Sequence, residues 1–393
     1  MIHETLKRGA RQVLQLRRTL KPYLHWKRAL RNDPLFNLST VDKGLLPRST
    51  SPTRTPAQRL AVAQRIIAAY RAASADQAQQ SDVYKVSNEW VPLFRKPLLP
   101  LLNALESGDA AGLRDLLDNF FRNSISQGLC GLASDMAGSY FDKPPSRFLR
   151  TQLLIDSVYR YRLLEKLLPG TKPSDLHVAD FGNPYGMYVD GEFLRTGVDY
   201  QYFYARQIAQ MLSGREDRNQ RATVAELGGG IGGFAYFLNG LFPAGLTYIN
   251  LDLPEILCIS SYQLMNLYPD KSVLLYAEAA RIDSATIASH DIALLPSFAI
   301  EALGADSVDA SFNSYSLAEM DQPTIQNYAT HLSRITSRFI LHVNHVADSL
   351  VSADNFAFDA SKFELTSRTR ALWNLGRNLK CDEYEFLLTR RPA

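Results

Sequence analysis

The stretch Ala225-Glu226-Leu227-Gly228-Gly229-Gly230-Ile231-Gly232-Gly233 follows a short apolar run that begins at Thr223, and a helix-like run opens near Phe234. A strand that turns through glycines into a helix is the loop at the carboxyl end of a strand where open α/β sheets bind their ligands. Glycine suits that place because it lets the backbone approach a ligand closely and takes positive φ without strain. Gly228, Gly230 and Gly232 are the residues so placed.

Which ligand they hold is a separate question, because Gly228-x-Gly230-x-x-Gly233 also satisfies the dinucleotide fingerprint. Glu226 ends the strand two residues before the first glycine. A carboxylate there suits an ammonium group and opposes a diphosphate. Asp252 ends the next strand, Ile249-Asn250-Leu251-Asp252, where an acid can accept both hydroxyls of a ribose in either cofactor class. These contacts favour S-adenosylmethionine, with Leu253, Ser297 and Asn313 as further cofactor contacts at neighbouring strand ends. Two rivals stay open: a nicotinamide- or flavin-dependent oxidoreductase, and a non-catalytic cofactor-binding partner of another enzyme.

Outward from the turn, Leu246–Leu251, Val308–Asn313 and Phe339–Asn344 are short, apolar and rich in β-branched or aromatic residues, as buried strands are. Helix-like segments separate them, which predicts a parallel sheet covered on both faces. Ser272–Tyr276 and Ile292–Leu295 compete for the third strand, and the second is preferred because Pro296-Ser297 then opens a loop at a strand end. Tyr384–Leu388 is expected as the edge strand that closes the sheet. Before the sheet, Asp190-Gly191 between Met187–Val189 and Glu192–Leu194 predicts a hairpin, since both turn positions need positive φ. Asp109 is placed to cap a helix after the turn at Gly108.

At 393 residues, 46% hydrophobic and 21% charged, the chain has material for a catalytic domain and an added module. A net charge of +3 is too small to suggest nucleic acid as a partner. The positive charge gathers at the start, where Lys7, Arg8, Arg11, Arg17, Arg18, Lys21, Lys27, Arg28 and Arg31 face only Glu4. A basic amphipathic helix of this kind either makes peripheral contact with an anionic membrane or an acidic partner, or packs by its apolar side. The chain divides into this basic segment (1–46), a proline-rich linker (47–56), a helical substrate or cap module (57–200) and a cofactor-binding domain (201–393). Cys130, Cys258 and Cys381 lie too far apart for a CxxC site or a disulfide framework. With no apolar run of membrane-spanning length, a cytoplasmic protein is expected, held to a membrane only if the basic helix does so.

Several islands occur in order: Gly182-Asn183-Pro184-Tyr185-Gly186, Asp190-Gly191, Glu226–Gly233, Asp252-Leu253-Pro254-Glu255, Asn313-Ser314-Tyr315-Ser316-Leu317-Ala318-Glu319-Met320 and His342-Val343-Asn344-His345. Together they make the chain similar to the sugar O-methyltransferase family, a branch of the class I S-adenosylmethionine-dependent methyltransferases. The resemblance runs from about Leu98 to the end. It implies a Rossmann-like α/β fold with a seven-stranded, mainly parallel sheet, and a sugar or glycan hydroxyl as acceptor, as in polysaccharide biosynthesis. Tyr185, Tyr315 and Ser316 are then the candidate substrate contacts, being polar groups with aromatic faces. Ser316 and Glu319 can instead form a local capping box.

Methyl transfer to an alcohol is an in-line displacement that needs the hydroxyl proton removed. His342, His345 and Glu319 are the candidate catalytic residues. Side chains alternate along a strand, so His342 and Asn344 share one face while His345 begins the loop at the carboxyl edge, which makes His345 the better base. No carboxylate cluster has the spacing of a metal site, and none is assigned.

Overall fold

The structure is a computed structural model that describes residues 23–48, 53–86, 90–129, 145–214, 221–242, 245–347, 349–371 and 382–392. Residues 1–22 of the basic segment, part of the expected linker, Cys130 and Cys381 lie outside the described residues. Cys258 is buried and free.

Strands β1 (Gly186–Val189) and β2 (Glu192–Arg195) form the hairpin, and its turn residues Asp190 and Gly191 take φ of 49° and 89°. The main sheet comprises β3 (Ala222–Leu227), β4 (Leu246–Asp252), β5 (Val273–Leu275), β6 (Ile292–Pro296), β7 (Val308–Ser314), β8 (Thr336–His345), β9 (Phe363–Arg370) and β10 (Glu383–Arg390). Their order across the sheet is β5-β6-β4-β3-β7-β8-β10-β9. All run parallel except β10, which pairs antiparallel with both β8 and β9. This is the Rossmann-like class I methyltransferase sheet with one additional edge strand.

Two expectations need correction. Among the described residues the sheet has eight strands, not seven, because both contenders for the third strand form. Asp291 joins them: Ser272 N donates to its Oδ2 at 2.8 Å, and its own N–H donates to Ser272 Oγ at 2.9 Å. The run at Tyr384–Leu388 does not close the sheet either; it is the middle of β10, and β9 covers its outer side. β9 was missed because only Phe363 of Phe-Glu-Leu-Thr-Ser-Arg-Thr-Arg is buried, so its sequence lacks an apolar alternation.

The sheet is covered on both faces. One core runs from the N-terminal helices through Ile66, Leu113 and Val158 to Tyr204, Phe234 and Phe312. The other gathers Leu227, Ile249, Leu295, Ile325 and Phe386. The helix Pro56–Gln77 starts with a capping box between Thr55 and Gln58 and packs on Pro254–Leu267, where Arg54 Nε donates to Met265 O at 2.8 Å. Asp109 caps Ala110–Asp118 through a bond from Gly112 N of 2.8 Å. The helical segments thus pack on helices that cover the sheet, Pro56–Gln77 on Pro254–Leu267 and Arg147–Leu167 on Val198–Leu212.

The chain leaves β3 toward β4 on one side and returns to β7 on the other. That reversal opens a crevice at the carboxyl end of β3, the place where sheets of this kind take ligands.

Candidate active site

A cavity of about 800 Å³ fills the crevice, within the range of small-molecule sites. Its floor is the glycine turn. Gly228, Gly230 and Gly232 take φ of 76°, 55° and 78°, values that suit glycine. A Cβ on Gly228 would stand 2.3 Å from Ser316 Oγ, and one on Gly229 would stand 2.6 Å from Asn250 Oδ1. The turn is held by its own amides: Gly228 N donates to Leu251 O at 2.8 Å, Gly229 N to Asn250 Oδ1 at 3.1 Å and Gly230 N to Asp252 Oδ2 at 2.9 Å.

Of the residues expected at a cofactor, Glu226, Gly228, Gly230, Asp252, Leu253 and Ser297 line the cavity. Gly232 does not; it lies against the helix Pro254–Leu267, where a Cβ would press on Leu264 at 3.0 Å. Asn313 is fully buried behind the wall, where Nδ2 donates to Leu227 O at 2.9 Å and Oδ1 accepts from Asn344 Nδ2 at 2.9 Å. It ties the ends of β3, β7 and β8 together.

Two buried acids, Glu226 and Asp252, face the cavity. Burial raises the Glu226 carboxyl from its ordinary 4.5 to about 8, against a bond from Tyr248 Oη that favours the ionised form, with the charge of Asp252 adding to the rise. Burial likewise raises Asp252 from 3.8 to about 7, although Gly230 N and Leu253 N both donate to it; the charges of Glu319 and Glu255 push it further up. A cation entering beside these groups would restore their ionised forms.

Tyr315, Ser316 and Glu319 also line the cavity, with Ser316 directly beside Gly228. Tyr315 has φ 65°, which a bulky residue adopts only when its surroundings impose it. Here its N–H donates to Val343 O at 2.8 Å and its hydroxyl to Glu383 at 3.1 Å. The capping box between Ser316 and Glu319 does not form. Ser316 Oγ donates to Leu227 O at 3.1 Å, while Glu319 accepts from the Trp90 indole at 2.7 Å. Tyr185, a candidate substrate contact from the sequence, is 1% exposed and outside the cavity lining. Arg122 pulls that loop inward by donating to Asn183 O at 3.0 Å, and Phe121 N donates to Gly182 O at 2.9 Å.

The two histidines at the end of β8 part company. His345 borders the cavity, with Nδ1 at 3.0 Å from Asp382 Oδ1 and its ring 5.5 Å from that of Tyr315. His342 points to the other core, stacked on Phe386 at 4.5 Å and 7°, and burial lowers its pKa to about 3. It is a neutral core residue, away from the cavity.

Sequence reasoning missed Asp382, Arg195, Gln201 and Tyr200, and the stripe Gln152, Asp156 and Arg160 along the helix Arg147–Leu167, which lines the cavity with Trp26 and Tyr159. The stripe's spacing of four was readable as one helix face. Nothing in the sequence tied that face to the glycine turn.

Among the described residues, no group of three or more His, Cys, Asp or Glu could hold a metal ion. None of the described helices is long and apolar enough to cross a membrane. No family profile and no curated relative matches the sequence, so the resemblance to sugar O-methyltransferases rests on its motif islands alone. Solved structures similar to the chain include the mitomycin 7-O-methyltransferase, 15% identical, covering 76% of this chain and 92% of that one with a TM-score of 0.32. Magnesium protoporphyrin IX methyltransferase of Synechocystis, with bound S-adenosylmethionine, is 9% identical over 61% of this chain and 97% of that one, TM-score 0.32. Phosphoethanolamine N-methyltransferase 1 of Haemonchus contortus, with S-adenosylhomocysteine, is 11% identical over 49% of each chain, TM-score 0.31, so the match spans about half that protein. At such scores these likenesses carry no functional weight; the fold rests on the strand order.

Proposed function

We propose that the chain binds S-adenosylmethionine in this cavity and transfers its methyl group to a hydroxyl of a sugar or glycan. The observation that carries the cofactor half is the pairing of a glycine floor with two buried carboxylates, Glu226 and Asp252, on one cavity. The residues fit the group: the floor has no room for a Cβ at Gly228 or Gly229, and Glu226 is a buried acid whose ionisation a cation would favour. A diphosphate over the same turn would meet repulsion from Glu226 once it is ionised. Gly228–Gly230 and Leu253 would hold the adenosine end, Asp252 the ribose hydroxyls and Glu226 the ammonium. The acceptor half rests on the motif resemblance, and on the aromatic and polar side chains of Tyr315, Ser316 and Glu319 that line the cavity.

When bound, S-adenosylmethionine supplies an electrophilic methyl group on a sulfonium. What remains for the chain's own residues is to orient a hydroxyl and take its proton. A carboxylate only accepts, so the 3.0 Å contact to Asp382 puts the proton of His345 on Nδ1 and leaves Nε2 as the basic nitrogen. His345 is the base in this reading and Asp382 the residue that sets its tautomer and ring orientation. Tyr315, fixed by Glu383 and with its ring tilted against that of His345, presents an aromatic face to the acceptor.

The test is isotopic transfer. Incubation with S-adenosylmethionine labelled in its methyl group and a panel of saccharides should place the label on a hydroxyl oxygen of a saccharide. Transfer to nitrogen or carbon acceptors alone would reject the acceptor assignment.

A further inference from the structure

Arg195 ends β2 and lines the cavity with only 5% of its surface exposed. Its Nη2 donates to Gln201 Oε1 at 2.7 Å, and its guanidinium carbon lies 4.7 Å from the centre of the Phe121 ring. Gln201 presses on the glycine turn: a Cβ on Gly233 would stand 2.1 Å from its carboxamide. The guanidinium is therefore one side chain away from the turn. Glu226 stands on the same cavity, at the end of the strand that leads into that turn. A carboxylate and a guanidinium flanking one glycine turn are the complement of an α-amino-acid zwitterion, and the guanidinium fork matches a planar carboxylate.

We propose that Arg195 binds the α-carboxylate of the amino-acid end of the S-adenosyl ligand, while Glu226 faces its ammonium. The proposal rests on the cofactor reading above. It also gives the hairpin a role, since β1 and β2 lie outside the main sheet and their last residue brings the positive charge to the cofactor floor.

The test compares two compounds by calorimetry, S-adenosylmethionine and its decarboxylated form, which keeps the ammonium and the sulfonium. Wild-type protein should prefer the carboxylated compound by about tenfold or more, the scale of a charge-assisted bidentate contact. In Arg195→Gln the ratio of the two dissociation constants should fall close to one. In Arg195→Lys, which keeps the charge and loses the fork, it should be intermediate. Thermal melts check that each variant folds, and if Arg195→Gln does not, the wild-type ratio and Arg195→Lys decide. Equal binding of both compounds by the wild type, or a wild-type ratio retained in the folded variants, overturns the proposal. Wild-type protein that binds neither compound overturns the cofactor reading itself, and this proposal with it.

Discussion

His345 Nδ1 lies 3.0 Å from Asp382 Oδ1, across a gap of 37 residues in the chain, and the pair stands where β8 and β10 begin their antiparallel ladder. Glu383 next to Asp382 opposes His345 in that ladder and accepts from the Tyr315 hydroxyl. One strand end therefore fixes both the imidazole and the aromatic ring beside it. His345→Ala should lower methyl transfer by about a hundredfold or more while leaving the dissociation constant for S-adenosylhomocysteine within about twofold. Asp382→Asn should lower turnover on a comparable scale and alter its pH profile, because a carboxamide can donate to Nδ1, which moves the imidazole proton to Nε2 and removes the basic nitrogen. Stopped-time assays of label transfer check both; unchanged turnover in His345→Ala removes it as the base.

Glu226 and Asp252 make stability depend on pH. Their folded values, about 8 and about 7, exceed the ordinary 4.5 and 3.8. Between those limits the folded chain keeps protons that the unfolded chain has released, so unfolding free energy falls as pH rises toward about 8 and levels off beyond it. Melting temperatures across that window should show the fall, and Glu226→Gln should flatten it. Equal slopes in the two proteins would show that Glu226 is not the group responsible.

His342 predicts the opposite side of the profile. With its folded pKa lowered to about 3 by burial, the unfolded chain gains a proton that the folded chain refuses once pH drops below the ordinary 6.5. Stability from this group is full above that value and is lost as pH falls. His342→Phe should keep methyl transfer and reduce acid sensitivity, read from melts and transfer assays. A loss of transfer without a loss of stability would return His342 to the catalytic set.

The turn itself is testable by size. Gly228→Ala places a methyl group against Ser316 Oγ and strains a φ of 76°, so S-adenosylhomocysteine binding should weaken by about tenfold or more. At Gly230 the nearest atom to a Cβ is Leu129 Cδ2 at 3.7 Å, so room is not the limit there; Gly230→Val should act by intruding on the cavity and straining φ. Calorimetric titration of each variant measures this, and wild-type affinity in Gly228→Ala would contradict the floor assignment.

Strand assignment from sequence succeeded where a strand is buried over most of its length around an apolar run, as in β3, β4, β6 and β8. It failed at β9, whose solvent side carries arginines and threonines, and it set aside β5, a contender that is short and gains its place by pairing with β6. The glycine turn and its acids were legible because their chemistry is local. Asp382 and Arg195 were not, since each acts on a partner set by the tertiary fold. Tyr185 was misread for the same reason: its Asn-Pro loop has the composition of an exposed turn, and only Arg122 and Phe121 draw it inward. Asn313 was legible as important but not in its role, which is to tie strand ends rather than to face the cavity.

The central claim is that the cavity holds S-adenosylmethionine through Glu226, the glycine turn and Asp252. Calorimetric titration of the purified chain with S-adenosylmethionine, S-adenosylhomocysteine, nicotinamide and flavin dinucleotides tests it most directly. One site for each S-adenosyl compound is expected, greatly weakened in Asp252→Ala, with no dinucleotide binding. Binding of a dinucleotide in place of both S-adenosyl compounds, or of none of the ligands, would contradict it.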